Sequence, residues 1–364
     1  MSQILSQIWY NSFMIYEPKY TINDKVRNNL QEIERLKDVV RGHQILPEVE
    51  ASIRLRATVN TVHSSTSIEG NPLTPGEVRA VIDEDKKLSK KEYAETEVQN
   101  YKRAMDFIAE RKGGNSDVAK ADILQLHKII TERLLPNTKS SHFRQNAVYI
   151  ENQNHEVLYE AAPAVEVEPA VEGLLEWANN NRAVVPAVII AAILHYELVT
   201  IHPFVDGNGR TSRALAMLYL ALNHYDCDGT LSLDSYYASD KHAYYEILQE
   251  VHGRDYQKSV GADLTPWLEY FTNGFLTSLH VLDAEIRVLD LLMPAKSNNF
   301  GLSREDYDIL NYVAEFGAIG VREAEAILPE LNRRTVQRRL KKLVDTGRLS
   351  MVGATHEAKY VLKD

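Results

Sequence analysis

The chain has 364 residues, of which 44% are hydrophobic, and a formal net charge of −10. This length predicts about two or three domains with at least one large core. The acidic balance argues against a chain that wraps nucleic acid over its whole surface, because phosphate binding needs positive potential. A single cysteine, Cys227, excludes an intramolecular disulfide and favours the cytoplasm as the compartment.

The chain carries no sequence signal for export or membrane insertion. The first twenty residues lack a basic stretch followed by a continuous apolar run, so they do not resemble a secretory signal. The longest apolar run, residues 183–194, contains Pro186 and is shorter than the about 20 residues of a membrane-spanning helix. We therefore expect a soluble protein.

Most of the chain has apolar residues that recur at three and four positions, which predicts a mainly α protein. The predicted helices cover residues 26–40, 47–64, 74–88, 93–110, 120–134, 164–180, 187–202 and 209–223. Thr74 and Glu77 resemble a capping box at the start of one of them. Residues 147–159 differ, since two β-prone runs flank a polar turn there, and this pattern predicts a small hairpin.

The last part of the chain predicts a winged helix-turn-helix domain. After a polar break at residues 294–300, three helical patterns are followed by two β-prone runs around Gly353. The third pattern, residues 333–346, has six basic residues and one acidic residue, so it could enter the major groove of DNA. Protein docking or dimerisation is the alternative. We expect three domains, at residues 1–110, 111–293 and 300–364.

A short segment between two predicted helices, residues 202–213 (HPFVDGNGRTSR), has the features of an anion-binding loop. Gly207 and Gly209 allow a tight turn with accessible N–H groups, and the following helix directs its positive end at the same place. Arg210 and Arg213 are three apart in that helix, so both can bind phosphate oxygens from one face. The segment therefore predicts a phosphate site.

Two further residues of this segment could carry chemistry. Asp206 offers an oxygen ligand suited to magnesium, and His202 offers a base that is neutral near physiological pH. Each residue alone is more often structural. Their combination within twelve residues favours phosphate chemistry.

The segment resembles the signature of the Fic (filamentation induced by cAMP) family, H-x-F-x-(D/E)-G-N-(G/K)-R-x-x-R. The eight specified positions are matched by His202, Phe204, Asp206, Gly207, Asn208, Gly209, Arg210 and Arg213. The resemblance extends over about residues 60–273. It implies a helical bundle in which one long helix precedes the loop and a β-hairpin flap lies over the site.

The resemblance also implies an activity, the transfer of AMP from ATP to Ser, Thr or Tyr hydroxyls of target proteins. His202 would take the hydroxyl proton and Asp206 would hold Mg²⁺. Asn208 and the neighbouring N–H groups would stabilise phosphoryl oxygens, while Arg210 and Arg213 would bind the outer phosphates.

Further details of the resemblance concern the target and the donor. Phe204 would anchor the loop, and the flap would bind an extended target segment as an added strand. Gly209 is typical of AMP-transferring members, whereas lysine there marks a kinase-like branch. Phosphocholine transfer stays open as another chemistry. The rival class is a DNA-binding transcriptional regulator whose Fic domain senses a ligand or modifies the protein itself.

Upstream, residues 64–71 (SSTSIEGN) place Ser65 and Glu69 on one face at a predicted helix end. Beside the signature they resemble the family's inhibitory motif, (S/T)-x-x-x-E-(G/N), in its N-terminal version. Glu69 would pair with Arg213 and occupy the place of the ATP γ-phosphate, giving a self-inhibited enzyme. In some relatives this glutamate supports AMP removal, so de-AMPylation is a secondary possibility. The resemblance also allows a homodimer, because many relatives self-associate.

Overall fold

The computed structural model describes residues 16–43, 47–84, 92–113, 116–151, 156–292, 303–353 and 358–363. It is mainly helical with two small antiparallel hairpins, which confirms the predicted fold class. The polar break predicted at residues 294–300 lies outside the described residues. The chain divides into two compact units, and the division after Leu282 falls inside a long helix.

Within the described ranges, the first unit contains eleven helices, the larger part of a twelfth and one hairpin. The helices are α1 (Asp24–Gly42), α2 (Pro47–Ile68), α3 (Pro75–Glu84), α4 (Glu92–Arg111), α5 (Lys120–Ile130), α6 (Ala164–Asn181), α7 (Ala187–Ile201), α8 (Asn208–Leu222), α9 (Asp234–Ser239), α10 (Lys241–His252), α11 (Tyr256–Ser259) and α12 (Thr265–Leu292). The hairpin pairs β1 (Tyr149–Glu151) with β2 (Val157–Glu160), and a short 3-10 turn spans Cys227–Gly229.

Helix α7 forms the centre of the first unit. Twelve of its fifteen residues are buried, as expected for a run that is apolar on all sides. The α8 helix packs along it, and the indole N–H of Trp267 in α12 donates to the Ala192 carbonyl at 2.8 Å. Each large side chain buried in this way stabilises the fold by about 1.5–3 kcal/mol. The segment between α7 and α8 therefore has a rigid support on both sides.

Two helix ends differ from the sequence prediction. Helix α2 continues past residue 64 to Ile68, and α5 ends at Ile130 rather than at residue 134. The carbonyls at the end of α5 are satisfied from outside the helix, because the Asn100 side chain donates to Ile130 and Glu132. Arg133, three residues beyond this end, has a left-handed φ of 62°, so the helix does not continue to residue 134. The predicted Thr74–Glu77 capping box is present.

The second unit contains α13 (Arg304–Phe316), α14 (Val321–Ile327), α15 (Arg333–Asp345) and an antiparallel pair, β3 (Leu349–Val352) with β4 (Lys359–Leu362). Its own core is made by Ile309, Leu310, Val313, Ile319, Ala324, Leu328, Val336, Leu340, Leu343 and Leu349. Asp306, at the start of α13, accepts from Arg339 and Lys342 of α15 and so fastens these two helices together. Within the described ranges, no helix combines the length and apolar character needed to span a bilayer.

Candidate active site at the junction of two buried helices

The loop between α7 and α8, residues 202–207, is closed by one side chain. Asn208 is 2% exposed, its Oδ1 accepts from the Phe204 N–H at 2.8 Å, and its Nδ2 donates to the Phe204 carbonyl at 2.9 Å. Both ends of the amide are therefore engaged with the loop itself. The sequence predicts that this side chain contacts phosphoryl oxygens, and in the structure its amide hydrogen-bonds within the loop.

Phe204 is fully buried and stacks on His127 of α5, with ring centroids 3.6 Å apart. The His127 Nδ1 accepts from the Ser141 N–H, so its Nε2 carries the proton and donates to the Asp206 carbonyl at 3.0 Å. Burial lowers the pKa of His127 to about 4, which keeps this neutral tautomer in place. His127 thus fixes the backbone of the loop from outside it.

Gly207 is required at its position for two reasons. Its φ of 78° is left-handed, and an added Cβ would lie 3.0 Å from the Cγ2 of Thr131. The close approach of α5 to the loop therefore depends on the missing side chain. Gly207 is also the residue that immediately precedes α8.

His202 ends α7 in a left-handed conformation, with φ 54° and ψ 60°. Its Nδ1 lies 3.1 Å from the Val199 carbonyl, which can only accept, so Nδ1 carries the proton and Nε2 has the free lone pair. Burial lowers the pKa of His202 to about 4, although the Val199 hydrogen bond and the carboxylates of Glu69 and Asp206 act in the opposite direction. At pH 7 the imidazole is neutral and able to accept a proton.

Asp206 presents a half-exposed carboxylate at the mouth of the loop. Its Oδ1 accepts from the Gly207 N–H at 2.6 Å and lies 3.6 Å from Nη2 of Arg210, while its side chain is 51% exposed. Across the described part of the chain, no three His, Cys, Asp or Glu side chains converge on a metal position. A single accessible carboxylate nevertheless fits Mg²⁺, which keeps several waters and takes its other ligands from substrate phosphates.

Arg210 is held on one side by a buried carboxylate. Its Nη1 donates to Glu97 of α4, and the two side chains are 5% and 7% exposed. The other Glu97 oxygen accepts from Asn71 Nδ2 at 2.6 Å. Asn71 follows the end of α2, so Glu97 connects that helix end to α8.

Arg213 is 1% exposed and binds the end of α2. Its Nε donates to Ser65 Oγ at 2.8 Å, and its Nη2 donates to the Ser65 carbonyl and to Glu69 Oε1, both at 2.9 Å. Asp234 lies 3.1 Å from Nε on the buried side. Burial would raise the pKa of Glu69, but the Arg213 charge outweighs it and holds that pKa below its usual range.

The Glu69 carboxylate lies against the first turn of α8. A Cβ added to Gly209 would meet Glu69 Oε1 at 2.5 Å and Nη1 of Arg213 at 3.2 Å. The N-terminus of a helix is where an anion is favoured, and in this structure a carboxylate of the chain itself occupies that neighbourhood.

The hairpin of β1 and β2 is joined to the end of α7 by hydrogen bonds. The Tyr159 hydroxyl donates to the Thr200 carbonyl at 2.9 Å. Tyr149, Val157 and Leu158 of the hairpin are exposed. The turn residues 152–155 lie outside the described residues.

Four residues near the site were not found from the sequence: His127, Glu97, Asp234 and Tyr245. The first three are buried polar side chains that distant helices bring to the loop and to the arginines. Tyr245 of α10 is 42% exposed, and its hydroxyl is 3.5 Å from the Ile68 carbonyl, beside Glu69. None stands in a recognisable motif, so only tertiary packing reveals them.

Comparison with known proteins finds relatives of the segment that contains this site. Residues 117–220 match the Fic/DOC family model. The chain is 31% identical over 156 residues to "Protein adenylyltransferase Fic" of Drosophila melanogaster, and the matches in Drosophila sechellia and Drosophila simulans have the same extent. The matched segment is 42% of this chain but only 30% of the fly protein. This part of the chain is thus similar to Fic/DOC domains and to Fic adenylyltransferases.

Solved structures extend the likeness of the fold. A Fic family protein from Desulfovibrio desulfuricans G20 superposes with a TM-score of 0.64 over 96% of this chain and 98% of its own, at 21% identity. Fic-1 (aa134–508) from C. elegans gives a TM-score of 0.59 over 74% of each chain, at 22% identity. The predicted Fic helical bundle with its hairpin is therefore confirmed as a fold.

Proposed function

We propose that the chain transfers AMP from ATP to Ser, Thr or Tyr hydroxyls of target proteins, and that Glu69 restrains this activity. One observation carries the proposal. At the N-terminus of α8, the Glu69 carboxylate is bound to Arg213 where a phosphate would be favoured, beside a neutral His202 with a free Nε2. The homologous fly proteins, named as adenylyltransferases, support the reaction class.

The reaction needs one base and one leaving group. His202 Nε2 takes the hydroxyl proton while the hydroxyl oxygen forms a bond to the α-phosphorus of ATP. The bond from that phosphorus to the bridging oxygen breaks, and pyrophosphate leaves with the electron pair. The proton on Nδ1, held by Val199, keeps Nε2 as the accepting nitrogen throughout.

The triphosphate is held by α8. The N–H groups of its first turn and the guanidinium of Arg213 bind the phosphates, and Arg210 adds its Nη2, which faces Asp206. Asn208 shapes the loop through its two hydrogen bonds to Phe204, and Phe204 anchors the loop to α5. Mg²⁺ held by Asp206 would neutralise phosphate charge when bound.

Glu69 restrains transfer by competition. While its carboxylate is bound to Arg213, a γ-phosphate has no free guanidinium at that position, so bound nucleotide is held in an unproductive pose. The exposed Tyr149, Val157 and Leu158 of the hairpin serve the other substrate by contacting an extended target segment.

The test is incorporation of α-labelled ATP into protein, with magnesium and a cell lysate. We compare the wild type, Glu69→Gly, and Glu69→Gly combined with His202→Ala; Glu110→Gly, near the exposed end of α4, is the matched control. Loss of a charge-assisted contact to Arg213 is expected to raise labelling by about tenfold to a hundredfold. Label should vanish in the double variant, and no label in any variant would refute AMP transfer.

A second function is favoured by the surface of α15. We propose that the C-terminal unit is a winged helix whose α15 binds duplex DNA. Arg334, Arg338 and Lys341 are exposed at helical spacing along one face, whereas Arg339 and Lys342 are engaged with Asp306. Salt-sensitive binding of duplex DNA by the full chain would support it.

A further inference from the structure

Arg144 lies between α5 and β1, is 5% exposed, and directs its side-chain donors at backbone carbonyls. Nε donates to the His202 carbonyl at 2.7 Å and Nη2 to the Ile201 carbonyl at 3.3 Å. Nη1 donates to the Asn146 carbonyl at 2.8 Å, and Nη2 also donates to the Ala162 carbonyl. One guanidinium thus binds four carbonyls from two parts of the fold.

Two of these carbonyls belong to the end of α7. The last carbonyls of a helix have no partner within it, and a cation is favoured there. His202 also holds a left-handed backbone that a side chain with a Cβ disfavours. The Arg144 contacts, together with its own N–H donating to the Pro203 carbonyl at 2.9 Å, keep this conformation in place.

The other two carbonyls belong to the stem of the hairpin. Asn146 precedes β1 and Ala162 follows β2, so Arg144 binds both strands where they leave the body of the protein. The hairpin stem and the backbone of His202 therefore share one cation. A displacement of the stem must move the guanidinium or break a bond to His202.

We propose that Arg144 is a positioning residue that couples the hairpin to His202, so that docking of a target on the hairpin sets the orientation of the imidazole. This coupling rests on the proposed AMP transfer. The charged groups that face His202 are Arg144, Glu69 and Asp206, and among them Arg144 is the one that disfavours the imidazolium. Arg144 therefore fixes the orientation of the His202 imidazole and also favours its neutral form.

The kinetic test adds Arg144→Lys to the Glu69→Gly variant and compares the double variant with Glu69→Gly alone. Lysine keeps the charge but loses the planar fork, so the rate of AMP transfer at saturating target should fall by about tenfold or more, while the Kd for ATP stays within about twofold. Tyr159→Phe is the matched control, since it removes a hairpin bond to Thr200 and leaves the His202 carbonyl untouched. An unchanged rate, or equal losses in rate and ATP binding, would overturn the coupling.

A second readout does not depend on activity. In the otherwise wild-type chain, imidazole ¹⁵N signals, assigned with His202→Ala, report the tautomer and the titration of His202. The pKa, lowered to about 4, should rise in Arg144→Met because a cation is lost, but not in Arg144→Lys. If neither variant changes the titration or the tautomer, Arg144 does not position the base, whatever the labelling experiment shows.

Discussion

The two arginines of α8 differ in the counter-ions that surround them. Arg210 is paired with Glu97, which is as buried as the arginine itself, and lies 3.6 Å from the half-exposed Asp206. Arg213 has two carboxylates, the buried Asp234 and the 30% exposed Glu69. The Glu69 carboxylate can therefore move away from Arg213 without leaving the buried guanidinium unpaired, because Asp234 stays beside it. This is the arrangement expected of a removable restraint.

This difference predicts unequal effects on stability. Glu97→Ala leaves the buried Arg210 with only the half-exposed Asp206, 3.6 Å away, which should lower the free energy of unfolding by about 3 kcal/mol. Glu69→Gly should lower it by about 1 kcal/mol or less, since the pair is partly exposed and Asp234 remains. Urea unfolding of both variants against the wild type measures this. Equal destabilisation by the two would mean that Glu69 is a structural counter-ion.

At the scale of elements, the sequence predicts those features that depend on one continuous stretch of residues. The loop residues 202–213 and the helices around them follow from periodicity and spacing, so their existence and order were predicted correctly. The end of α5 was predicted four residues late because Asn100, from another helix, caps it. The sequence does not predict Glu97 and His127 as site residues for the same reason, because packing between helices brings them to the loop.

The close packing of α5 against the loop can be tested by adding one methyl group at Gly207. Gly207→Ala imposes a left-handed alanine and a contact with Thr131, so ATP binding should weaken by at least about tenfold and the melting temperature should fall. Gly317→Ala is the control. Gly317 has the same left-handed φ of 78° and a similar backbone cost of about 1 kcal/mol, but no atom lies within 4 Å of the added Cβ. A similar loss of ATP binding in the two variants would show that the contact with Thr131 is not its cause.

At the scale of the molecule, the whole chain has a formal net charge of −10, whereas α15 in the second unit has a basic face. Six basic residues were counted from the sequence as a possible DNA surface, and the structure divides them. Asp306 engages Arg339 and Lys342, and Glu325 pairs with Arg333. Such pairing is not visible in a charge count, because it depends on how α13 and α14 pack against α15.

The remaining three residues define the last prediction. Replacing Arg334, Arg338 and Lys341 together by alanine in the full chain removes up to three phosphate contacts, which should weaken duplex binding and reduce the slope of log K against log salt by about two to three. Arg27→Ala, on the exposed face of α1, is the control and should leave the slope unchanged. AMP labelling in the Glu69→Gly background should be the same with or without the triple change. If duplex DNA binds the wild type and the triple variant with the same salt dependence, α15 is not the contact surface, and target docking becomes the better account of this unit.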